Sequence, residues 1–234
     1  MRVPPRLRGG LATRLAVLIG GLLIFAAGIV CLLESGLGLS PWDVLHQGLA
    51  NHTRLSFGEA NIAVSVIVVI FAAGLGARIG VGTVANAILV GSFVQLLTSP
   101  DAITGLAQEP LVVRVGLLLA GLALMGVGTG LYLGADLGAG PRDSLMVVGA
   151  RRTPFRIGVV RAGLEICALA FGFALGGTLG VGTVAFALSI GPAVELAFWL
   201  LEHSPLAQPP SETNDVPAGA LHLGHGRYYE WEQA

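Results

Sequence analysis

The stretch Glu34-Ser-Gly-Leu-Gly-Leu-Ser-Pro-Trp-Asp-Val-Leu-His-Gln-Gly-Leu49 returns one hundred residues later as Gly134-Ala-Asp-Leu-Gly-Ala-Gly-Pro-Arg-Asp-Ser-Leu-Met-Val-Val-Gly149. Leu37, Gly38, Pro41, Asp43 and Leu45 recur as Leu137, Gly138, Pro141, Asp143 and Leu145, and Gly80-Val-Gly-Thr-Val-Ala85 recurs as Gly180-Val-Gly-Thr-Val-Ala185. A constant offset without gaps marks an internal duplication, so the chain must fold as two copies of one unit.

What surrounds these blocks decides the solvent. Of 234 residues 54% are hydrophobic and only 12% charged, against roughly a quarter charged in soluble domains, which places the chain in a membrane. A span needs about 20 mostly apolar residues. Six stretches qualify: 15–33, 60–77, 83–98, 115–133, 158–175 and 183–201. The fold class is therefore an all-α membrane protein with six transmembrane helices in two three-helix repeats, residues 15–100 and 111–201. A basic segment, 1–14, precedes them, and a polar tail, 202–234, follows. Arg2, Arg6, Arg8 and Arg14 ahead of an apolar run imitate a secretory signal, but that run is longer than the usual 7 to 15 or so residues and reads as an uncleaved first span.

Every Lys or Arg in the chain is arginine, and the arginines are unevenly placed. The N-terminal cluster, Arg78 after the second span, and Arg142, Arg151, Arg152 and Arg156 after the fourth fall on one side. The other three connections hold only Arg54 and Arg114. Because loops on the cytoplasmic side are enriched in Lys and Arg, both termini are expected inside and the 99–113 connection outside. Three spans per copy is an odd number, so the second copy is expected to lie inverted relative to the first. The net charge near zero gives no reason to expect a nucleic-acid partner.

Small residues recur every fourth position: Gly126, Gly130 and Gly134 along the fourth span, and Gly172, Gly176 and Gly180 along the fifth and its exit. Such stripes let helices approach closely in lipid, so these six glycines are expected to serve packing. Cys31 and Cys167 lie in apolar runs and form neither a disulfide framework nor a zinc spacing. The tail from Glu202 is rich in Pro and polar residues and is expected to be disordered. Its His222 and His225 read as solvated side chains rather than ligands, since ligation needs fixed geometry. No metal or cofactor is expected.

The segments 40–51 and 141–151 are too short to cross. Each opens as a helix does, with Pro41 or Pro141 in the first position and Asp43 or Asp143 in the third, after a Ser40 or Gly140 cap. Trp42 and His46, four apart, share a face. Two arrangements stay open: an amphipathic helix in the interface, or a re-entrant half-helix whose amide-rich start faces a cavity. Glu165, about seven residues into the fifth span, is costly in lipid unless it pairs, and Arg161 one turn earlier is its natural partner. Their equivalents in the first copy, Asn61 and Ser65, carry no charge. Asn86, just after the Gly-Val-Gly-Thr start, is a further polar candidate, and its equivalent is Phe186.

Gly38-Leu-Ser-Pro-Trp-Asp-Val-Leu-His-Gln-Gly-Leu49 followed by Gly80-Val-Gly-Thr-Val-Ala-Asn-Ala-Ile-Leu-Val-Gly91 resembles the YczE/YyaS/YitT family of bacterial integral membrane proteins, most closely its YczE-like branch. The resemblance covers about residues 11–201 and implies a bacterial cytoplasmic membrane location. It implies no activity.

Two readings from different classes follow. The first is a permease-like protein for a small solute or ion, with Ser40, Trp42, Asp43, His46, Asn86, Asp143, Arg161 and Glu165 as candidate binding residues near the repeat interface. Its partners are the bilayer and that solute. The second is a non-transporting subunit that captures substrate or assists assembly, with a second copy or a partner subunit as its target. An enzyme is not expected, because no nucleophile stands at workable spacing from a base and no His-Glu-x-x-His pattern occurs.

Overall fold

The computed structural model describes residues 5, 7–99 and 105–207. Arg2, Arg6, the outer-loop Asp101 and the tail histidines lie outside the described residues. The elements are α1 (Leu11–Ser35), α2 (Pro41–His52), α3 (Phe57–Gly74), α4 (Val81–Thr98), α5 (Leu111–Gly134), α6 (Pro141–Arg152), α7 (Ile157–Ala174) and α8 (Val181–Glu202), with one 3-10 turn at Leu106–Gln108. Among the described residues the only β pairing is an isolated bridge between Leu7 and Ala207. Six helices are long and apolar enough to span a membrane, the shortest being 18 residues. At 1.5 Å per residue that is about 27 Å, close to the hydrocarbon thickness. The 12-residue α2 and α6 reach only about 18 Å.

One spanning helix start follows its cap more than its hydropathy. The second span, expected at 60–77, begins three residues earlier because Ser56 and Glu59 close a capping box. The Glu59 N–H donates to Ser56 Oγ at 3.3 Å, and the Ser56 N–H donates to Glu59 Oε2 at 2.7 Å. Past α8 the chain turns, and the Arg8 N–H donates to the Leu206 carbonyl at 2.7 Å, so the first tail residues rest on the N-terminal segment.

The two copies hold each other by exchanged contacts. α1 and α5 pack along each other antiparallel: a Cβ on Gly21 would lie 3.1 Å from the Gly128 carbonyl, and one on Gly28 would lie 2.9 Å from the Gly121 carbonyl. The second contact is the first with the offset of one hundred applied and the partners swapped. Arginine does the same at the helix ends. Arg14 donates from Nε to the Ala135 carbonyl at 2.7 Å, and Arg114 donates from Nε to the Ser35 carbonyl at 2.8 Å. Each cation thus satisfies orphan carbonyls at the C-terminus of the other copy's first helix. α2 packs on α7, and α6 on α3.

The glycine stripes divide by role. Gly126, Gly130 and Gly134 face Ala193, Ala197 and Leu201 of α8, as packing requires. Gly172 lets α2 in, since a Cβ there would lie 2.4 Å from Leu45 N. Gly176 and Gly180 do not continue that stripe, because α7 ends at Ala174. Gly176 takes φ +74 in the turn, and Gly180 is the N-cap of α8, pressed against the Leu37 carbonyl.

The copies differ in how their last two helices pack. In the first copy α3 packs along α4 with Gly58 and Gly91 in backbone contact, whereas Gly158 and Gly191 have open space around them and α7 does not pack along α8. Pro192 stands in α8 where the first copy has Ser92.

Candidate functional site

Both short helices begin in the interior. Ser40 caps α2, accepting from the Asp43 N–H at 3.3 Å, and its hydroxyl donates to Asp43 Oδ2. Asp43 Oδ1 lies 3.4 Å from His46 Nδ1, one turn on. From α3, Asn61 Nδ2 reaches the same Nδ1 at 3.1 Å. Asp43, His46 and Asn61 are 3%, 5% and 4% exposed. An amphipathic helix lying in the interface would turn this polar stripe toward headgroups and water, and the structure buries it instead.

The second short helix meets the first across a cavity. The Tyr132 hydroxyl on α5 donates to Asp143 Oδ2 at 3.0 Å. A Cβ on Gly140 would lie 3.3 Å from Asp143 Oδ2, 3.5 Å from Asn86 Nδ2 and 3.5 Å from the Tyr132 hydroxyl, so these groups converge on the start of α6. The guanidinium of Arg142 stands over the Phe25 ring, 5.9 Å from its centroid. The space between them is about 60 Å³, walled by Ser40, Trp42, Asp43, His46, Asn61, Ser65, Asn86, Tyr132, Gly140 and Arg142 together with apolar side chains of α1, α3, α4 and α5. At about 10–15 Å³ per water this holds roughly four to six waters, or a solute of a few heavy atoms.

A second, smaller space of about 10 Å³ adjoins it, walled by Trp42, Arg142, Asp143, Met146, Arg161, Leu164 and Glu165. Here Arg161 Nε donates to Glu165 Oε1 at 3.0 Å. All seven of these residues have their equivalents, one hundred positions away, in the wall of the first cavity: Arg142, Trp42, Asp43, His46, Asn61, Val64 and Ser65. The two spaces are counterparts that share the exchanged pair Trp42 and Arg142 in their walls. The first is open and has neutral side chains at positions 61 and 65; in the second the equivalent positions form an ion pair.

All eight candidate residues from the sequence lie on one or the other of these walls, except that Asp143 borders the larger one only through Tyr132 and Gly140. Four polar wall residues were missed. Arg142 counts in the sequence as a loop charge, yet it lines both spaces. Asn61 and Ser65 entered only as the neutral equivalents of Arg161 and Glu165. Tyr132 is hidden inside an apolar run. The signal that marks all four is disagreement within the duplication, since the equivalents of Arg142, Asn61, Ser65 and Tyr132 are Trp42, Arg161, Glu165 and Leu32.

Residues 12–198 match the model of DUF6198, described as a family of unknown function. The chain belongs to this family. Relatives of known sequence agree with that membership. An uncharacterized protein of Haemophilus influenzae is 38% identical over 191 residues, covering 82% of this chain and 86% of that one. The uncharacterized membrane protein YczE of Bacillus subtilis is 34% identical over 140 residues, 57% of this chain and 61% of its own. The uncharacterized protein YyaS of the same organism is 30% identical over 135 residues, 55% of this chain and 64% of its own. These names agree with the resemblance carried by the Ser-Pro-Trp-Asp block. No solved structure matches this family member. It is a membrane protein.

Proposed function

We propose that the protein is a non-enzymatic permease for a small polar solute or ion in the bacterial cytoplasmic membrane, with both termini inside and its two copies inverted relative to each other. One observation carries the reading: the starts of α2 and α6, one from each copy, line a single cavity that polar side chains share with apolar ones of the spanning helices. Non-helical backbone and buried charge are tolerated at such depth where a cavity covers them, and inverted-repeat transporters place their sites between repeats in this way. Antiparallel α1 and α5 with exchanged contacts support the inversion. The step from repeat architecture to transport is an analogy of fold, and the site chemistry gives it content.

The test is solute entry into proteoliposomes followed by stopped-flow light scattering, with urea, formate, ammonium and guanidinium salts. At least one solute should equilibrate faster than in protein-free vesicles, and Asp43→Asn should remove the difference. Identical rates for every solute would overturn the permease reading.

A second reading rests on the asymmetry of the repeats. The open face at Gly158 and Gly191, whose counterparts are in backbone contact, suits a membrane subunit that docks another helix there. Cysteine crosslinking from Gly158→Cys to a co-purifying chain, with no solute entry, would favour it.

A further inference from the structure

The two neighbouring spaces together carry one carboxylate more than they have guanidinium groups: Asp43, Asp143 and Glu165 stand against Arg142 and Arg161, with His46 beside Asp43. Tyr132 is the remaining titratable side chain on these walls, and the charge of Arg142 is already opposed by Asp143, Glu165 and Asp43. An uncompensated charge away from bulk water is expensive, so the excess calls for a cation. Asn61 gives the call a location. Its side-chain amide lies 3.1 Å from His46 Nδ1. One acceptor goes without a donor: Asn61 Oδ1, buried with no hydrogen-bond partner, beside the Asp43 carboxylate that pairs with His46 Nδ1 at 3.4 Å.

The duplication shows what fits there. At the position equivalent to Asn61 the second copy carries Arg161, whose guanidinium helps to fill the counterpart space beside Asp143 and pairs with Glu165. The second copy holds its cation covalently, whereas the first copy has neutral Asn61 and Ser65 at the equivalents of Arg161 and Glu165 and keeps Asp43 at the equivalent of Asp143. The volume of about 60 Å³ suits a group of a few heavy atoms, and the aromatic walls of Trp42, Phe25 and Tyr132 favour a weakly hydrated cation over a sodium ion.

We infer that the cavity bounded by Asp43, His46 and Asn61 binds a small nitrogenous cation rich in N–H donors, of the guanidinium or primary-ammonium class. This deepens the permease reading and shares its cavity, but binding and passage are separable. N–H groups donate to Asn61 Oδ1 and Asp43 Oδ1, while Arg142 stays outside the first contacts and sets an upper limit of one positive charge.

The test uses the full chain purified in detergent. Millimolar guanidinium chloride, methylammonium chloride, tetramethylammonium chloride and sodium chloride are compared at equal ionic strength for their effect on Tm and by calorimetric titration. Guanidinium or methylammonium should raise Tm, and the other two should not; which of the two acts tells planar guanidinium from primary ammonium. Asn61→Arg should raise the ligand-free Tm and abolish the response, because it supplies the cation as the second copy does. Asn61→Leu should bind about tenfold or more weakly. Failure of both nitrogenous cations to stabilise the wild type, an equal response in Asn61→Arg, or full stabilisation by lowering pH alone, with His46 taking the proton, would each overturn the inference. Labelled guanidinium and methylammonium uptake into proteoliposomes then separates the two claims: binding with no uptake of any solute keeps the cation site and removes the permease.

Discussion

The N–H of Gly182 donates to the carbonyl of Leu37 at 2.8 Å, and its equivalent Gly82 donates to Leu137 at 2.7 Å. Each long helix α4 and α8 thus begins by clasping the loop that leads into the other copy's short helix. The loops can take this path because Gly38 and Gly138 adopt φ of +121 and +127, values that L side chains rarely reach. The amide-rich helix starts satisfy carbonyls that would otherwise be buried without partners. The clasp is what delivers Ser40 and Gly140 to the cavity.

The clasp should be intolerant of side chains. A Cβ on Gly182 would lie 2.7 Å from the Gly38 carbonyl, whereas Gly20 has open space around it. Gly182→Val should lower Tm and yield, with Gly20→Val close to wild type. Equal melting of the two would mean that the loops yield freely and do not position the short helices.

Packing between α1 and α5 should be the most sensitive contact in the spans. A Cβ on Gly128 would approach Phe25 N to 2.6 Å, while Gly116 on the same helix has nothing near. Gly128→Leu should cost about 1 to 3 kcal/mol or more, read as a drop in Tm, and Gly116→Leu should be neutral.

Transport and stability should separate at the acids. Asp43→Asn should abolish solute entry while the protein still expresses and purifies, because the amide can still accept from Ser40 Oγ. Asp143→Asn should do the same, with Tyr132 still bonded. Glu165→Gln removes the carboxylate but leaves an amide oxygen that can still accept from Arg161 Nε, so it too should abolish entry with folded protein retained. Loss of folded protein in all three would assign these residues to the scaffold instead.

Topology is open to a direct check. Reporter fusions after Ser204 and near Thr153 should read cytoplasmic, and one near Gln108 should read external, because the arginine excess follows the inner side. A cytoplasmic signal at Gln108 would remove the proposed inversion.

The sequence alone determined the duplication, the six spans and the two short helices, because each leaves a local trace: a constant offset, a run of apolar residues, a Pro after a cap. It also pointed to Glu165 with Arg161, since a charge within an apolar run is visible by contrast and its partner one turn away is set by helix geometry. Only the tertiary structure decided that α2 and α6 start inside rather than at the surface, because an amphipathic pattern looks the same whether its polar face meets water or a cavity. It also decided that Gly176 serves a turn, since a four-residue spacing says nothing of where the helix stops. Arg142 was illegible for a related reason. A cation near a span end is ordinary in sequence, and its place between two half-sites exists only after the copies have exchanged partners across the α1 and α5 crossing.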